Sequence, residues 1–352
     1  MSKILIIRFS ALGDVAMTIP VIYSLATEFP MHNITVLSRE SFKPLFKELP
    51  KNIRFVSADL KVKHKGIRGL NALYKEQKAE KYDYVADFHS VLRSQYLLLR
   101  FKLDGVATAC INKGRREKKK LTQKNNKVFV PLKSVFIRYY NVLEKLGFKF
   151  DLSFKSIFEK KQGNLTELIP QTGEKSTEKW LGIAPFAKHK GKIYPLELQE
   201  KVIERFANEK RVKVFVFGGG ESEKNIIDNW VEKYPSVTSV VGKLNMSQEL
   251  VLMSQLDLMF CMDSANMHLA SLVNIPVISL WGATHPFAGF LGWNQTENNT
   301  IQVDLSCRPC SIYGQKPCFR KDYACLYQIT PGQIIQRIEH TLFDALKVDI
   351  SY

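Results

Sequence analysis

Four short stretches carry residue types at spacings that suit chemistry on phosphates and hydroxyls. The first is SALGD, Ser10–Asp14, directly after an apolar run. Gly13 permits a tight turn and leaves backbone amides uncovered at a helix start, with Ser10 at the same turn. Asp14 falls in the first turn of the helix. It serves either as a general base for a hydroxyl or as a plain helix cap worth about 1 kcal/mol. The second is MDSANMHLA, Met262–Ala270. Asp263 and Ser264 stand where strand becomes helix, so the amides of Ser264, Ala265 and Asn266 form an anion site suited to a diphosphate. His268 follows one helical turn later, where it either reaches the same anion or only packs. The third is FGGGESE, Phe217–Glu223, whose glycines admit close approach of a ligand and whose Glu221 can accept from ribose hydroxyls. A flexible turn with an acidic helix start explains it equally. The fourth is AKHKGKIYP, Ala187–Pro195. Lys188, His189, Lys190 and Lys192 crowd this loop, either as cations for a phosphate leaving group or as a solvated surface. Neither a Walker A loop nor a three-glycine dinucleotide fingerprint is present.

Two further groups stand apart. Cys307, Cys310, Cys318 and Cys325 lie in one short segment containing Gly and Pro. Four thiols can close a tetrahedral structural zinc site or remain as reduced packing residues, and only the first pair has zinc-ribbon spacing. Cys110 and Cys261 read as ordinary buried thiols. Basic residues cluster in the first half: Lys61, Lys63, His64, Lys65 and Arg68 in one loop, then Arg115, Arg116, Lys118, Lys119 and Lys120 in another. His89 and Arg93 follow a strand end.

The elements that must position these residues alternate between strand and helix. Short runs of branched aliphatics predict strands over 3–9, 33–39, 53–59 and 82–89, with helices over 14–28 and near 41–48, 67–80 and 91–101. A polar stretch with Gly163, Pro170 and Gly173 reads as a linker over 160–179. A second series follows, with strands over 180–186, 212–219, 237–241, 256–263 and 276–282, and a last helix over about 331–347. Alternating β and α units predict parallel, doubly wound sheets, whose ligands bind at the carboxyl ends of the strands.

With 352 residues, 45% of them hydrophobic, the chain is long enough for two domains and too apolar for disorder. The expected division is 1–172, 173–330 and a terminal helical segment 331–352. Of the net charge of +17, all belongs to residues 1–172, and residues 173–352 are neutral. That split suggests that one half meets an anionic partner: nucleic acid, a membrane surface or an acidic substrate. No recognition helix or aromatic platform is interleaved with the basic residues, so nucleic acid is not the expected partner. No secretory signal or membrane-spanning run is visible, which predicts a cytoplasmic protein, peripheral at the inner membrane face.

Taken together and in order, these motifs resemble glycosyltransferase family 9, the ADP-heptose:lipopolysaccharide heptosyltransferases. KILIIRFSALGDVAMTIPVIYSL is similar to the family's opening, DSANMHLA to its D-[ST]-G-x-x-H signature, GKIYP to its K-x-W-P element and FGGGESE to its nucleotide loop. The resemblance spans residues 3 to about 285. It implies an α/β GT-B fold: two Rossmann-like domains facing across a cleft, the first holding the acceptor and the second the nucleotide sugar, with the C-terminal helix returning toward the first. It implies inverting, metal-independent transfer of a heptose from an ADP-activated donor to a lipopolysaccharide-core-type anionic glycolipid, and no catalytic cofactor. Asp14 matches the family's general base and Lys192 the lysine that neutralises the diphosphate. Ser10, Gly13, Glu221, Met246, Asp263, Ser264, Ala265 and His268 are then donor-binding, and Lys61, Lys63, Lys65, Arg68, His89 and Arg93 acceptor-binding. Ala265 stands where the signature has glycine, and Tyr194 where the family has tryptophan. Another nucleotide sugar, or a nucleotide-sugar epimerase on the same architecture, is the alternative reading.

Overall fold

The computed structural model describes residues 1–159 and 162–344. Its contacts divide the chain into two compact units: Met1–Arg115 with Lys133–Ile157, and Arg116–Leu132 with Phe158–Tyr352.

The first unit is built on five parallel strands, β1 (Lys3–Ile7), β2 (Asn33–Ser38), β3 (Ile53–Ser57), β4 (Tyr84–Asp87) and β5 (Ala107–Cys110), in the order β3-β2-β1-β4-β5. β1 lies centrally, and Ile4, Leu5, Ile6 and Ile7 are all fully buried. That is the environment its unbroken aliphatic run requires, since helices cover both faces of a parallel sheet. The expected helix over 14–28 is two helices, Leu12–Ala16 and Ile19–Glu28, with Pro20 in the first turn of the second. The region near 41–48 is a 3-10 helix, Glu40–Phe46, containing Pro44. β5 escaped the sequence reading because ATAC is short, barely apolar and sits at the sheet edge.

The second unit has six parallel strands: β6 (Lys179–Ala184), β7 (Val212–Val216), β8 (Val237–Ser239), β9 (Leu258–Met262), β10 (Val277–Leu280) and β11 (Thr300–Ile301). Their order is β11-β10-β9-β6-β7-β8. Its core joins Leu181, Ile183, Val214, Phe260, Ile278 and Leu280 to Ile334 and Ile338 of the helix Pro331–Glu339. Glu339 of that helix also pairs with Arg205 at 2.5 Å. The helix continues through His340–Asp344 with wider winding; the rest of the segment expected over 331–352 lies outside the described residues. Part of the expected linker is ordered as short helical turns over Thr166–Leu168 and Ile169–Thr172, and residues 160 and 161 lie outside the described residues.

Three local expectations are corrected. The basic run expected in a loop forms a helix, Arg115–Thr122. Arg68 belongs to the helix Gly66–Lys78 rather than to the loop before it. Cys110 is exposed, because it ends an edge strand, whereas Cys261 in central β9 is buried as expected.

The segment 116–132 is next to the first unit in sequence but packs with the second. Lys127 donates to the carbonyls of Ser306 (3.1 Å), Arg308 (2.7 Å) and Pro309 (3.2 Å). Phe129 packs on His285 and Phe287, and the Leu132 amide donates to Phe287. Charge follows packing: the first unit carries +12, the segment 116–132 carries +5, and the remainder of the second unit is neutral.

Candidate functional site

In the first unit the strand order reverses between β1 and β4, the switch point at which ligands bind in open α/β sheets. Asp14 stands there as the third residue of its helix. Its Oδ2 accepts from the Ala11 amide at 3.2 Å and pairs with Arg8 at 2.8 Å. Both the capping role and a specific charge partner are therefore realised. Both contacts engage Oδ2. The Asp14 side chain is 31% exposed and that of Arg8 only 8%, so the carboxylate opens to solvent over a buried cation. Arg8 is fixed from below by donating to the Phe88 carbonyl at 2.8 Å. Tyr139, stacked on Phe88, donates to the Asp14 backbone carbonyl at 3.2 Å.

His89 joins this group. It is buried, and its Nδ1 accepts from the Phe9 amide at 3.3 Å. Burial, then the charges of Arg8 and Lys113, push its pKa down to about 3. Burial and the same Arg8 also lower the Lys113 ammonium. Asp87, fully buried at the end of β4, accepts from the amides of His89 and Ser90, both at 2.8 Å, and from Ser94 at 2.9 Å. It thereby shapes the loop that carries His89. The ordinary histidine value near 6.5 lies above the folded one, so the unfolded chain binds the proton more readily. The stability gained by burying neutral His89 is complete above about pH 6.5 and declines as pH falls toward 3. Urea midpoints of wild type and His89→Gln should therefore diverge less at pH 5 than at pH 8.

The other residues expected to bind acceptor are placed differently. Lys61, Lys63, Lys65 and Arg68 follow β3, the edge strand two positions from β1, and all are exposed. Asp59 organises their loop by accepting from the amides of Lys61, Val62 and Lys63. Glu76 pairs with Lys63 at 2.9 Å and with buried His64 at 3.3 Å. Arg93 is exposed on the helix Leu92–Leu103. Of the acceptor set, only His89 is thus grouped with Asp14, and Arg8, Lys113 and Tyr139 join them. Arg8 left one visible sign, as the charge that breaks an otherwise aliphatic run.

In the second unit the order reverses between β9 and β6. Asp263 follows β9 and is almost fully buried. Its Oδ2 pairs with Lys192 at 3.0 Å and accepts from the Thr284 hydroxyl at 2.8 Å. Ser264 is the residue before the helix Ala265–Leu272 and has extended backbone angles, yet its hydroxyl makes no capping bond. Among the described residues its Oγ is buried without a hydrogen-bond partner. A buried hydroxyl left unpaired costs about 1–3 kcal/mol, so a ligand oxygen at the helix start would relieve it. His268, on the same helix, is buried.

The loops that hold this group interlock. The Ala283 amide donates to Gly191 at 2.8 Å, and a Cβ on Gly191 would meet that of Ala283 at 2.9 Å. Tyr194 is fully buried and donates to Ile329 at 2.7 Å, while Gln199 donates to the carbonyls of Pro185 and Tyr194. Arg308, 3% exposed, is the central brace. It donates to the carbonyls of Gly282 (2.6 Å), Trp281 (2.9 Å), Thr284 (3.0 Å) and Val303 and to the side chain of Gln302 (2.9 Å). It thus sets the loop that presents Thr284 to Asp263. Arg308→Leu would strand those carbonyls in a buried loop, and we expect a loss of about 3 kcal/mol or more in denaturant unfolding. An unchanged midpoint would show that the loop holds itself.

Glu221 is exposed and begins the helix Glu221–Lys233. The neighbouring Glu223, not Glu221, accepts from the Gly219 amide at 2.7 Å, leaving Glu221 to solvent or ligand. Met246 opens the helix Met246–Gln255 after edge strand β8, two strands from β6. Lys188, His189 and Lys190 lie beside Lys192, and burial followed by the charges of Lys188 and Lys192 lowers the His189 pKa. Cys307, Cys310, Cys318 and Cys325 line one small pocket with Arg308. Burial pushes the Cys325 thiol up to about 12 and also raises that of Cys310. Among the described residues no set of three or more His, Cys, Asp or Glu is arranged to hold a metal ion. The arrangement accordingly gives the zinc reading no support.

Comparison with known proteins places these features in a family. Residues 70–318 match glycosyltransferase family 9 (heptosyltransferase). The chain is 23% identical over 334 residues to lipooligosaccharide heptosyltransferase 2 of Campylobacter jejuni subsp. jejuni serotype O:6, covering 93% of this chain and 95% of that one. It superposes on the glycosyltransferase family 9 protein of Veillonella parvula DSM 2008 with a TM-score of 0.74 and 21% identity, over 97% and 98% of the two chains. On the E. coli heptosyltransferase WaaC with ADP-2-deoxy-2-fluoro heptose the TM-score is 0.66 at 16% identity, over 96% and 99%. Two doubly wound units, a fold shared along nearly the whole chain and a family match over most of it lead to one conclusion: the protein has the α/β GT-B fold and belongs to glycosyltransferase family 9, the heptosyltransferases.

Proposed function

We propose that this glycosyltransferase moves a heptose from an ADP-activated donor to an anionic glycolipid of the lipopolysaccharide core, with inversion and without a catalytic metal. The observation that carries the reading is the group at the second unit's switch point. There the unpartnered Ser264 hydroxyl lies at a helix start and the Lys192–Asp263 pair follows the two adjoining strands. This group suits a diphosphate. The donor's relatives in name support the nucleotide: a structural neighbour was solved with an ADP-heptose analogue.

In this reading Asp14 accepts the proton of the acceptor hydroxyl as its oxygen attacks the anomeric carbon. The bond from that carbon to the β-phosphate oxygen breaks, and ADP leaves with the electron pair. Lys192 and the amides at the start of Ala265–Leu272 stabilise the charge that develops, a task metal ions perform elsewhere. Glu221 and Met246 belong to the nucleoside side. Arg8 holds the base in orientation, and Lys113 and the buried neutral His89 line the acceptor side. The acceptor is drawn to a unit bearing +12, and the enzyme works as a cytoplasmic protein at the inner membrane face.

The test is incubation with a panel of nucleotide sugars, with and without delipidated core oligosaccharide. We expect ADP release from ADP-heptose only when acceptor is present. Donor consumption without acceptor would turn the reading to an epimerase, and release of another nucleoside diphosphate would change the donor.

A further inference from the structure

The helix Leu92–Leu103 carries an exposed apolar stripe that the sheet does not use. Leu92 is 86% exposed, Leu99 55% and Leu103 75%. Their spacing, with Tyr96 between, is i, i+4, i+7, i+11, so all four lie within a narrow sector of one helix face about 16 Å long. The opposite face holds buried Ser94, Leu97 and Phe101 against the core. Single exposed leucines need no explanation, but three aligned on one face do.

Charge frames the stripe. Arg93 and Arg100 lie on one flank and Lys102 on the other, and the helix contains no acidic residue. The parallel helix Gly66–Lys78 extends the surface. Its Asn71 and Tyr74 meet Arg100, by a 2.7 Å hydrogen bond and a 4.3 Å ring contact. Ile67, on the same side of that helix and 75% exposed, borders the same surface beside exposed Arg68. Lys61, Lys63 and Lys65, with the 78% exposed Val62, precede it. Among the described residues no helix is long and apolar enough to cross a membrane.

We propose that this face is a docking surface for an anionic lipid bilayer, the leucines entering the headgroup–acyl boundary while the flanking cations meet lipid phosphates. Apolar stripe and cationic margins on one helix are the two components of in-plane membrane binding. A second copy of the chain is a poor occupant, because two such faces would bring like charges together on units of +12. The two helices begin at the carboxyl edge of the sheet, where Asp14 and Arg8 lie. A glycolipid headgroup would therefore reach the site while its acyl chains stay in the bilayer. The inference deepens the peripheral-membrane part of the function proposed above and rests on it.

Co-sedimentation of the full chain with phosphatidylglycerol/phosphatidylethanolamine vesicles tests it. Wild type is expected to bind these and not phosphatidylcholine vesicles. The triple variant Leu92→Ser/Leu99→Ser/Leu103→Ser is expected to bind at least tenfold more weakly, and Lys102→Glu several-fold more weakly. These leucines are exposed, so circular dichroism and turnover on delipidated acceptor should be unchanged in the triple variant. Equal binding by wild type and triple variant overturns the surface assignment and leaves the membrane reading standing. No vesicle binding by wild type overturns both. A wild-type dimer without lipid that the triple variant converts to monomer assigns the face to self-association. Leucine-dependent vesicle binding by a protein inactive on ADP-heptose would instead separate this surface from the proposed reaction.

Discussion

Asp14→Asn is expected to lower kcat by roughly 10²–10⁴-fold, the usual contribution of a general base, with little change in donor affinity. Asparagine keeps the shape and one oxygen, so it still accepts from the Ala11 amide that Asp14 now engages at 3.2 Å. It cannot take up a proton, and it leaves Arg8 without its carboxylate partner at 2.8 Å. The substitution thus separates two roles that coexist at this position. If the carboxylate only caps its helix, the expected cost is about 1 kcal/mol of stability or less, with turnover nearly intact. If it is the base, turnover falls by the larger factor, well beyond what the stability lost with the Arg8 ion pair explains. Single-turnover rates with saturating ADP-heptose and delipidated acceptor, beside a melting curve, distinguish the two. Near-normal turnover would remove Asp14 from the chemistry.

Lys192→Ala carries the second large effect. If Lys192 faces the leaving phosphate as proposed, its removal costs about 10²–10³-fold in kcat. Here it also deprives Asp263 of a partner at 3.0 Å, while the Thr284 hydroxyl at 2.8 Å is kept. Asp263 is almost fully buried, so an unpaired carboxylate there would destabilise the loop by about 3 kcal/mol. A fall in activity from Lys192→Ala alone is therefore ambiguous. The double variant Lys192→Ala/Asp263→Asn removes the stranded charge. Its melting point should recover toward wild type while kcat stays low. Recovery of both would make Lys192 a structural lysine, and a kcat within threefold of wild type in either variant would place another group at the phosphate.

These sites differ in how far the amino-acid sequence revealed them. Asp14 and Asp263 each come after a short apolar run bounded by turn residues that reads as a buried parallel strand, so their place at a sheet's carboxyl edge follows from local pattern. Lys192 was visible as a cation in a loop after such a strand. Its pairing with Asp263 was not, because the two are seventy-one positions apart and meet only since β6 and β9 are neighbours. Arg308 follows Cys307 with nothing in the neighbouring residues to mark it. Its role as a buried brace depends on carbonyls contributed by Trp281, Gly282, Thr284 and Val303, which no periodicity brings together.

The uneven charge shows the same division. By itself the sequence determined two α/β series, their strand ends, the motifs on them and an excess of +17 confined to residues 1–172. The elements are consequences of local propensity and burial, which act over a few residues, and the charge is a count of side chains. Only the tertiary structure divided that excess, giving +12 to the first unit and +5 to the segment 116–132 that packs with the second. Nothing in the composition of that segment announces its partner. Its allegiance is decided by Lys127 reaching three carbonyls near Arg308 and by Phe129 meeting His285 and Phe287. Such contacts join residues more than 150 positions apart, and they form only after both partners' elements have been folded into place.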